Sequence, residues 1–389
     1  MRKATTLPAV LAMLVAGLAA TAGPAQARRG MEVALQDDAM FVYGGYAGAI
    51  TRDQALDRAA ALGVTRVRSN VSWALVTAQV HHRRAPKHPT YNWGPWDSLI
   101  DGAAQRGIRV ELTLTGFAPA YATANHRVGV DKPSAKRFGQ FVAAAARHFR
   151  GRVNVYTVWN EPNIRPWLQP MSKAPALYRA MYVAAEKAIH RYDRGARVLI
   201  GETSPYGIRG RAMPPIAFLR KMLCVNARYH KTRHCRKLVA DGYAHHPYEF
   251  KHKPTYRYKG ADNATIGTLG HLTGALSKLA RAHVLTTRSG HALPLYLTEF
   301  GYDAKGSRRL PEAKRASYLT KAFSIAYHNP HVRSMVAYLL VVPPTRSSFA
   351  MGLMKPSGTA LKSYTALHGW VRKAHVKKRP KRIRLPRAR

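Results

Sequence analysis

The sequence predicts an α/β protein built as one (β/α)8 TIM barrel with a basic C-terminal tail. Short runs rich in β-branched residues alternate with longer amphipathic stretches from about residue 38 to residue 370, and this alternation is typical of a parallel sheet. Eight such units are present, which favours closure into a barrel over an open, doubly wound sheet. The turn at residues 43–46 contains two glycines but lacks the spacing of a dinucleotide-binding loop, which also disfavours the open alternative.

Each strand is predicted from a short apolar run, and each helix from an apolar face that repeats with the helical period. The predicted strands cover residues 40–42, 65–68, 109–114, 153–159, 197–201, 239–244, 295–297 and 334–340. The predicted helices cover residues 52–62, 96–106, 134–149, 177–192, a segment after Pro215, 271–282 and 312–327. No change of composition marks a linker, so residues 28–370 are predicted to form a single domain.

The N-terminus is predicted to be a secretory signal peptide over residues 1–27. Arg2 and Lys3 precede an apolar run at residues 7–20, and Ala25-Gln26-Ala27 is a small-residue cleavage site. The apolar run is too short for a stable membrane span, although a retained anchor is the alternative. We therefore expect a secreted, extracellular monomer without stable membrane insertion.

The formal net charge of +44 at pH 7 is far larger than a barrel needs. Such a charge attracts polyanions, which include acidic glycans, anionic cell-wall polymers, membrane surfaces and nucleic acid. Residues 371–389 are the most basic segment and are predicted to be a disordered tail, with binding of an anionic cell-wall polymer as the alternative. Because no helix-turn-helix or basic–aromatic motif is present, we do not expect a specific nucleic-acid partner.

The two cysteines, Cys224 and Cys235, predict one disulfide that closes a short loop, because a secreted chain is exposed to oxidising conditions. Free thiols are one alternative. A zinc site with His230 and His234 is another, but His234 and Cys235 are adjacent, whereas zinc ligands are usually separated along the chain. The sequence therefore gives no reason to expect a metal or another cofactor.

Two glutamates follow predicted strands on opposite sides of the barrel. Glu161 lies in the segment Trp-Asn-Glu-Pro-Asn at 159–163, after strand four, and Glu299 lies in Thr-Glu-Phe-Gly at 298–301, after strand seven. Active sites of such barrels lie at the C-terminal ends of the strands, so both carboxyl groups can face one substrate. Cleavage of a glycosidic bond with retention needs such a pair, in which one carboxylate attacks the sugar and the other group transfers the proton.

These two motifs resemble those of clan A retaining glycoside hydrolases, which include cellulase family 5 and xylosidase family 39. The resemblance implies that Glu161 is the acid/base and that Glu299 is the nucleophile of a double displacement. It also implies that Asn160 hydrogen-bonds the 2-hydroxyl of the reacting sugar, and Trp159 of the same motif is predicted to bind substrate. No cofactor is implied, because displacement by two carboxyl groups needs none.

Further motifs extend the resemblance. His246-Pro247-Tyr248 is similar to the His-x-Tyr of these enzymes, which implies that Tyr248 hydrogen-bonds Glu299 and that His246 lines the site. His245 would take this role if the register shifted by one residue. Arg68 ends predicted strand two, where these families place an arginine near the nucleophile.

The sequence departs from the clan's pattern at predicted strand eight. Many members carry a tryptophan there as a platform for the sugar, but residues 336–342 contain none, so the choice of sugar stays open. Glu202 follows predicted strand five as a third carboxylate, and we favour an arginine partner for it over a sugar contact. Trp73, with Trp93 or Trp96, is interpreted as packing, and sugar stacking is the alternative.

The expected function is that of a secreted glycoside hydrolase that cleaves O-glycosidic bonds of an oligosaccharide or polysaccharide, with β-linked glycans favoured. Transglycosylation would use the same two carboxyl groups, and the motifs do not discriminate between endo and exo action. The alternatives are a barrel that has lost catalysis, or a non-catalytic barrel that binds an anionic cell-wall polymer or nucleic acid through its basic surface.

Overall fold

The computed structural model describes residues 30–344, 347, 349–374 and 376–386. A closed barrel of eight parallel strands forms its centre, which confirms the predicted fold class. The strands are β1 (Glu32–Gln36), β2 (Arg66–Ser72), β3 (Arg109–Thr115), β4 (Val155–Val158), β5 (Arg197–Thr203), β6 (Gly242–His245), β7 (Leu295–Phe300) and β8 (Val332–Tyr338). They are arranged around the barrel in chain order, and β8 pairs in parallel with β1 to close it.

Helices surround the barrel and cover the outer faces of its strands. They are α1 (Arg52–Leu62), α2 (Gly94–Gln105), α3 (Ala135–His148), α4 (Ala174–Tyr192), α5 (Pro215–Met222), α6 (Leu269–Arg281), α7 (Glu312–His328) and α8 (Lys362–Lys373). Helix α1 shows why they form where they do: Thr51 and Gln54 make a capping box at its start, and Gly63 ends it in the left-handed conformation. Helix α8 was not among the predicted helices.

The predicted position of the first strand is wrong. Residues 40–42 were expected to form it, but they belong to a short helix, Asp38–Phe41, and its C-terminal cap, while β1 lies at Glu32–Gln36. A three-residue apolar run fits a buried helical turn as well as a strand, so its composition does not discriminate between the two. The predicted strand at 239–244 is also divided, because Leu238–Val239 pairs with Leu285–Thr286 in a separate two-stranded sheet.

The interior of the barrel holds charged side chains below the site. Arg66 lies 2.6 Å from the carboxylate of Glu32 and 4.0 Å from that of Glu111, and all three are buried. Burial raises the pKa of Glu111 to about 7, and the charge of Arg66 opposes this shift. This part of the interior is therefore polar, which explains why β1 contains Glu32 and Gln36 instead of a purely apolar sequence.

Cys224 and Cys235 are bonded to each other just after α5, which confirms the predicted disulfide. Because each sulfur is bound to the other, the free-thiol and zinc alternatives are wrong. The predicted signal peptide, residues 1–27, lies outside the described residues. Among the residues that are described, no helix is both long enough and apolar enough to cross a bilayer.

Residues 376–386 lie against the N-terminal end of the barrel, in contacts that the expectation of a disordered tail over 371–389 did not include. The Lys377 amide donates to the carbonyl of Met31 at 3.0 Å, and its ammonium group lies 2.7 Å from Glu32. Arg379 donates to the carbonyl of Arg106 at 2.6 Å, just after α2. Carbonyl groups at the C-terminal ends of helices lack helical partners and carry partial negative charge, so they are suitable acceptors for a basic segment.

Candidate active site

The predicted site residues converge at the C-terminal end of the barrel. Arg68 pairs in register with Gln36, the last residue of β1, while Glu161 follows β4 and Glu299 lies near the end of β7. The side chain of Arg68 is fully buried, whereas those of Glu161 and Glu299 are 12% and 11% exposed. The two glutamates are therefore the acids of the cluster that a substrate can reach.

The backbone bends sharply where strands β4 and β5 deliver their side chains. Trp159, Glu161 and Glu202 have φ angles of 65°, 39° and 50°, a region that residues other than glycine seldom adopt and that is frequent at functional sites. The amide of Glu161 donates to the carbonyl of Glu202 at 2.9 Å. This hydrogen bond holds the two bends together and brings both carboxyl groups into the barrel mouth.

Glu299 accepts hydrogen bonds from two sides. The Arg68 guanidinium donates to Oε1 at 2.8 Å, and the Tyr248 hydroxyl donates to Oε2 at 3.0 Å. The contact between Tyr248 and Glu299 that the resemblance implies is therefore present. Hydrogen bonds of this kind stabilise the ionised form of a carboxyl group.

His246 lies between three glutamates. Its Nδ1 atom is 3.0 Å from Oε1 of Glu161 and 3.6 Å from Oε2 of Glu299, and its Nε2 atom is 2.6 Å from Oε2 of Glu202. Burial by itself would lower the pKa of His246, but the surrounding carboxylates raise it to about 10. The ring is therefore a cation at neutral pH and donates from both nitrogens.

In the described part of the chain, His245 lies in an environment without carboxylate contacts. This excludes the alternative in which His245, and not His246, lines the site. Its ring points away from the glutamates, with Nε2 2.6 Å from the carbonyl of Ala264 and Nδ1 2.9 Å from the Thr203 hydroxyl. Burial lowers the pKa of His245 to about 4. It is a neutral structural residue, and His246 occupies the site.

Glu202 pairs with an arginine, as the sequence favoured, and does not contact the sugar position. It is fully buried and lies 3.0 Å from the guanidinium of Arg68 and 2.6 Å from His246, and it accepts from the Thr298 hydroxyl at 3.0 Å. Burial opposes ionisation, but Arg68 and His246 outweigh it and lower the pKa of Glu202 to about 2. The residue is thus a permanent anion that orients both cations.

Two cations, Arg68 and His246, lie among the carboxyl groups of the site, which are Glu161, Glu202, Glu299 and Asp38. Glu202 balances one of the two positive charges, so one positive charge remains for the other three carboxyl groups. Burial raises the pKa of Glu299, and the charges of His246 and Arg68 oppose that shift. The donors Arg68 and Tyr248 stabilise the ionised form of Glu299 against the effect of burial.

The two accessible carboxyl groups share one histidine contact. A single atom, Nδ1 of His246, lies within 3.6 Å of an oxygen of each. Retaining glycosidases hold their carboxyl groups about 5–5.5 Å apart, whereas inverting enzymes leave about 6.5–9.5 Å for a water molecule. The shared histidine contact is compatible with the retaining spacing.

The position of Asn160 is compatible with its predicted role, whereas the position of Trp159 is not. The amide oxygen of Asn160 accepts from Arg68 at 3.2 Å, which directs its nitrogen as a donor for a substrate hydroxyl. The prediction that Trp159 binds substrate does not fit its position, because the ring is fully buried, donates to the carbonyl of Trp167 and packs edge-on against Phe138. Trp159 supports the wall of the barrel.

Two residues that the sequence did not single out complete the site. Tyr338 ends β8, where the expected tryptophan is missing, and its pKa is raised first by burial and then by the charge of Glu299. Asp38 follows β1 and accepts from the Ser69 hydroxyl at 2.7 Å and from the Asn70 amide at 3.1 Å. A sequence signal existed for Tyr338 within 336–342, but Asp38 was missed because strand one was misplaced.

The three tryptophans considered as sugar platforms have packing roles. Trp73 is fully buried and stacks on Phe141, Trp96 is 2% exposed, and Trp93 stacks on His148. Among the described residues, no group of three or more His, Cys, Asp or Glu side chains is placed to hold a metal ion.

Solved structures with the same architecture are glycoside hydrolases. A family 39 glycoside hydrolase from the gut symbiont Bacteroides cellulosilyticus has a TM-score of 0.63 at 16% identity, over 88% of this chain and 64% of that chain. A family 39 β-xylosidase from Caulobacter crescentus has a TM-score of 0.57 at 18% identity, over 88% and 70% of the two chains. An endoglucanase from the hyperthermophile Thermotoga maritima has a TM-score of 0.53 at 15% identity, over 86% and 96%.

The sequence matches no protein-family model and no curated protein. The chain spans 64% of the length of the Bacteroides structure, so the activity of that whole protein does not transfer to it directly. At identities between 15% and 18% the likeness is one of fold. This chain thus has the (β/α)8 architecture of family 39 and family 5 glycoside hydrolases, as its motifs indicated.

Proposed function

We propose that the protein is a retaining glycoside hydrolase in which Glu299 is the nucleophile and Glu161 is the acid/base. The observation that carries the proposal is the placement of both accessible carboxyl groups around one nitrogen of His246. Donors to Glu299 from Arg68 and Tyr248 distinguish the two roles, because an attacking carboxylate has to be ionised whereas a general acid has to hold a proton.

The reaction would proceed in two displacements. In the first, an oxygen of Glu299 bonds to the anomeric carbon while Glu161 protonates the departing glycosidic oxygen. In the second, Glu161 takes a proton from water, the water oxygen bonds to the same carbon, and the bond to Glu299 breaks. Two inversions give net retention. The Asn160 amide would hydrogen-bond the 2-hydroxyl, a contact that strengthens as positive charge develops on the ring.

The substrate class and location extend the proposal. The substrate is a β-linked oligosaccharide or polysaccharide, with Tyr338 below the reacting sugar and Asp38 beside it. Secretion is supported by the predicted signal peptide over residues 1–27 and by the bond between Cys224 and Cys235, since disulfides persist in oxidising compartments.

The test is sugar release from polysaccharides and aryl β-glycosides by the wild type, Glu161→Gln and Glu299→Gln. Both variants are expected to lose at least about a thousandfold in kcat/KM on substrates with poor leaving groups. Glu186→Gln makes the same chemical change on α4, away from the site, and serves as the control. Activity that survives in Glu299→Gln would refute the assigned nucleophile.

Silence of a folded wild type across the whole panel would refute the glycosidase proposal. It would favour the second candidate, a non-catalytic barrel that binds an anionic polymer. The net charge of +44 is the observation that supports this candidate.

A further inference from the structure

Three exposed arginines lie on the two loops that border the acid/base glutamate. Arg165 is on the loop after β4, and Arg209 and Arg211 are on the loop after β5. The Arg165 amide donates to the carbonyl of Arg211 at 2.8 Å, and the Ile164 amide donates to the carbonyl of Glu161 at 3.1 Å. The two loops are therefore tied together directly beside Glu161.

Within the described ranges, no carboxylate lies at ion-pair distance from any of these three arginines. Acids on neighbouring segments of this face already have partners within the protein: Asp262 pairs with Arg220 at 2.6 Å, Asp303 pairs with Arg308 at 2.8 Å, and Glu249 hydrogen-bonds His252 at 2.6 Å. The positive charge beside Glu161 is thus not neutralised by the protein, and it is available to a bound anion.

An aromatic platform stands next to the same charges. Tyr206 precedes Arg209 on the β5 loop and stacks face to face on Tyr258, with ring centroids 4.6 Å apart. Burial, followed by the neighbouring Tyr258 and Glu249, raises the pKa of Tyr206 to about 12, and Glu161 contributes to the same shift. The Ser204 amide, two residues before Tyr206, donates to Asn163 at 2.9 Å, so Tyr206 stands on the same pair of loops as Glu161. A sugar can stack on the face of the ring that Tyr258 does not cover while its substituents reach the arginines.

The opposite side of the site carries two carboxyl groups, and burial raises the pKa of both Asp37 and Asp38. Asp38 is held at the end of β1 by Ser69 and Asn70, and Asp37 is buried beside it. A carboxylate or sulfate on the reacting sugar would be repelled by the ionised Glu299 and would have to lie among the carboxyl groups of this side. An anionic substituent is therefore disfavoured on the sugar that Glu299 attacks.

The acid/base marks the side on which the leaving group lies, because Glu161 protonates the departing oxygen. Arg165, Arg209 and Arg211 stand on that side. We propose that the enzyme cleaves between a neutral sugar in the reacting position and an acidic sugar, carrying a carboxylate or sulfate, in the leaving-group position. This inference rests on the proposed glycosidase function. Arginine suits the role because its planar fork donates two parallel hydrogen bonds to either anion.

The test compares aryl β-glycosides that differ only in the leaving group: a nitrophenol without a charge, one with a ring carboxylate and one with a ring sulfonate. The readout is kcat/KM for the charged substrate divided by kcat/KM for the neutral one. When this ratio is compared between two protein variants, the intrinsic reactivity of each leaving group cancels. Arg165→Glu/Arg211→Glu is expected to lower this ratio by roughly tenfold, which corresponds to two exposed charge pairs that are reversed. The loss should shrink as ionic strength rises.

The matched control is Arg150→Glu/Arg194→Glu. These two exposed arginines precede β4 and β5 at the opposite end of the barrel, and their replacement changes the net charge equally. An unchanged ratio in the first double variant, or an equal fall in the control, would overturn the inference while hydrolysis of the neutral glycoside still upheld the proposed function. The carboxylate and sulfonate arms show which anion is preferred.

A binding measurement serves if no glycoside is hydrolysed. Electrophoresis through gels that contain a polyuronate, a sulfated galactan or neutral dextran reports on binding alone. Retardation in an anionic gel that is weaker for Arg165→Glu/Arg211→Glu than for the control is the expected result. Equal retardation of the two variants would show that the charge of the whole protein, not this face, binds the anion.

Discussion

Nε2 of His246 lies 2.6 Å from Oε2 of Glu202, a carboxylate that is completely buried beneath the proposed catalytic pair. The same ring reaches Glu161 through its other nitrogen. Glu202 therefore acts through His246: it keeps the ring charged, and it fixes the orientation in which the ring contacts both accessible carboxyl groups. It is a positioning residue, because substrate does not reach it.

Replacing Glu202 by glutamine removes the charge but preserves the size of the side chain. We expect the pKa of His246 to fall from about 10, since the variant lacks a carboxylate that stabilises the imidazolium. Without a fixed cation beside Glu161, kcat should fall roughly 10- to 100-fold, the scale seen for groups that orient a reacting residue, while KM changes little. An NMR titration of His246 and steady-state kinetics measure the two effects.

Glu202→Asp is the matched comparison because it retains the negative charge. Its His246 should titrate nearer to the wild-type value than that of Glu202→Gln. If the pKa of His246 were the same in Glu202→Gln as in the wild type, and only thermal stability were lost, Glu202 would have a purely structural role.

Replacing Glu161, the proposed acid/base, should separate the two chemical steps. In Glu161→Ala, a dinitrophenyl glycoside has a leaving group that needs no protonation, so Glu299 still forms the covalent intermediate. Its hydrolysis lacks a general base, so the intermediate should accumulate. We expect a burst of about one dinitrophenolate per active site and a protein mass increased by one glycosyl unit. Azide, which needs no base, should restore turnover and yield the β-glycosyl azide.

The nucleophile variant is the control for this experiment. Glu299→Ala should show neither a burst nor a glycosylated mass. A burst in Glu299→Ala, or its absence in Glu161→Ala with activity intact, would reverse or refute the assigned roles.

The site residues that could be predicted are those whose motif indicates both the chemical role of the side chain and its position at the end of a strand. Glu161, Glu299 and the His-x-Tyr pair follow strands directly, and parallel strands bring their C-terminal ends to one face. Asp38 was not predictable in this way, because β1 begins and ends with polar residues that face a charged interior. Hydrophobic patterning detects apolar faces, so it selected the buried helical turn at 40–42 instead.

Trp159 shows a different limit of sequence reasoning. The side chains of β4, the strand before it, point alternately into and out of the barrel, with Val155 inside and Tyr156 outside. At a φ of 65° the backbone breaks that alternation, so the indole turns outward against Phe138 of α3. Motif spacing places Trp159 at the strand end, but it does not determine on which side of the wall the ring lies.

Glu111 predicts a pH dependence of stability. Its folded-state pKa of about 7 lies above the ordinary value of 4.5 because of burial, so between these values the folded protein binds a proton that the unfolded chain has lost. The contribution of Glu111 to the free energy of unfolding therefore falls as pH rises from about 4.5 to about 7, and it stays low above pH 7. Glutamine cannot ionise, so Glu111→Gln should gain stability relative to wild type by about 3 kcal/mol between pH 4.5 and pH 8.

Urea unfolding of both proteins at pH 4.5, 6 and 8 measures this difference. Glu186→Gln, a half-buried change on α4 that removes a contact with His190, should show no such gain across the same range. A difference between Glu111→Gln and wild type that is constant with pH would mean that Glu111 is already ionised inside the barrel.

Deletion of residues 375–389 tests whether the basic C-terminal segment holds the barrel closed at its N-terminal end. The deletion removes the Lys377–Glu32 ion pair, the hydrogen bond from Arg379 to the carbonyl of Arg106 and the one from the Ile383 amide to that of Ala104. We expect a loss of about 2 kcal/mol and a Tm lowered by roughly 3 °C. Because the site lies at the other end, kcat/KM on a neutral aryl glycoside should not change.

The control is Lys378→Gln/Arg384→Gln, which removes two exposed charges of the same segment without removing those contacts. Its Tm should stay within about a degree of wild type, since exposed charges contribute little to stability. If the segment were instead a free tail that binds an anionic polymer, the deletion would weaken polymer binding and leave the Tm unchanged. The two explanations therefore predict opposite results from the same pair of proteins.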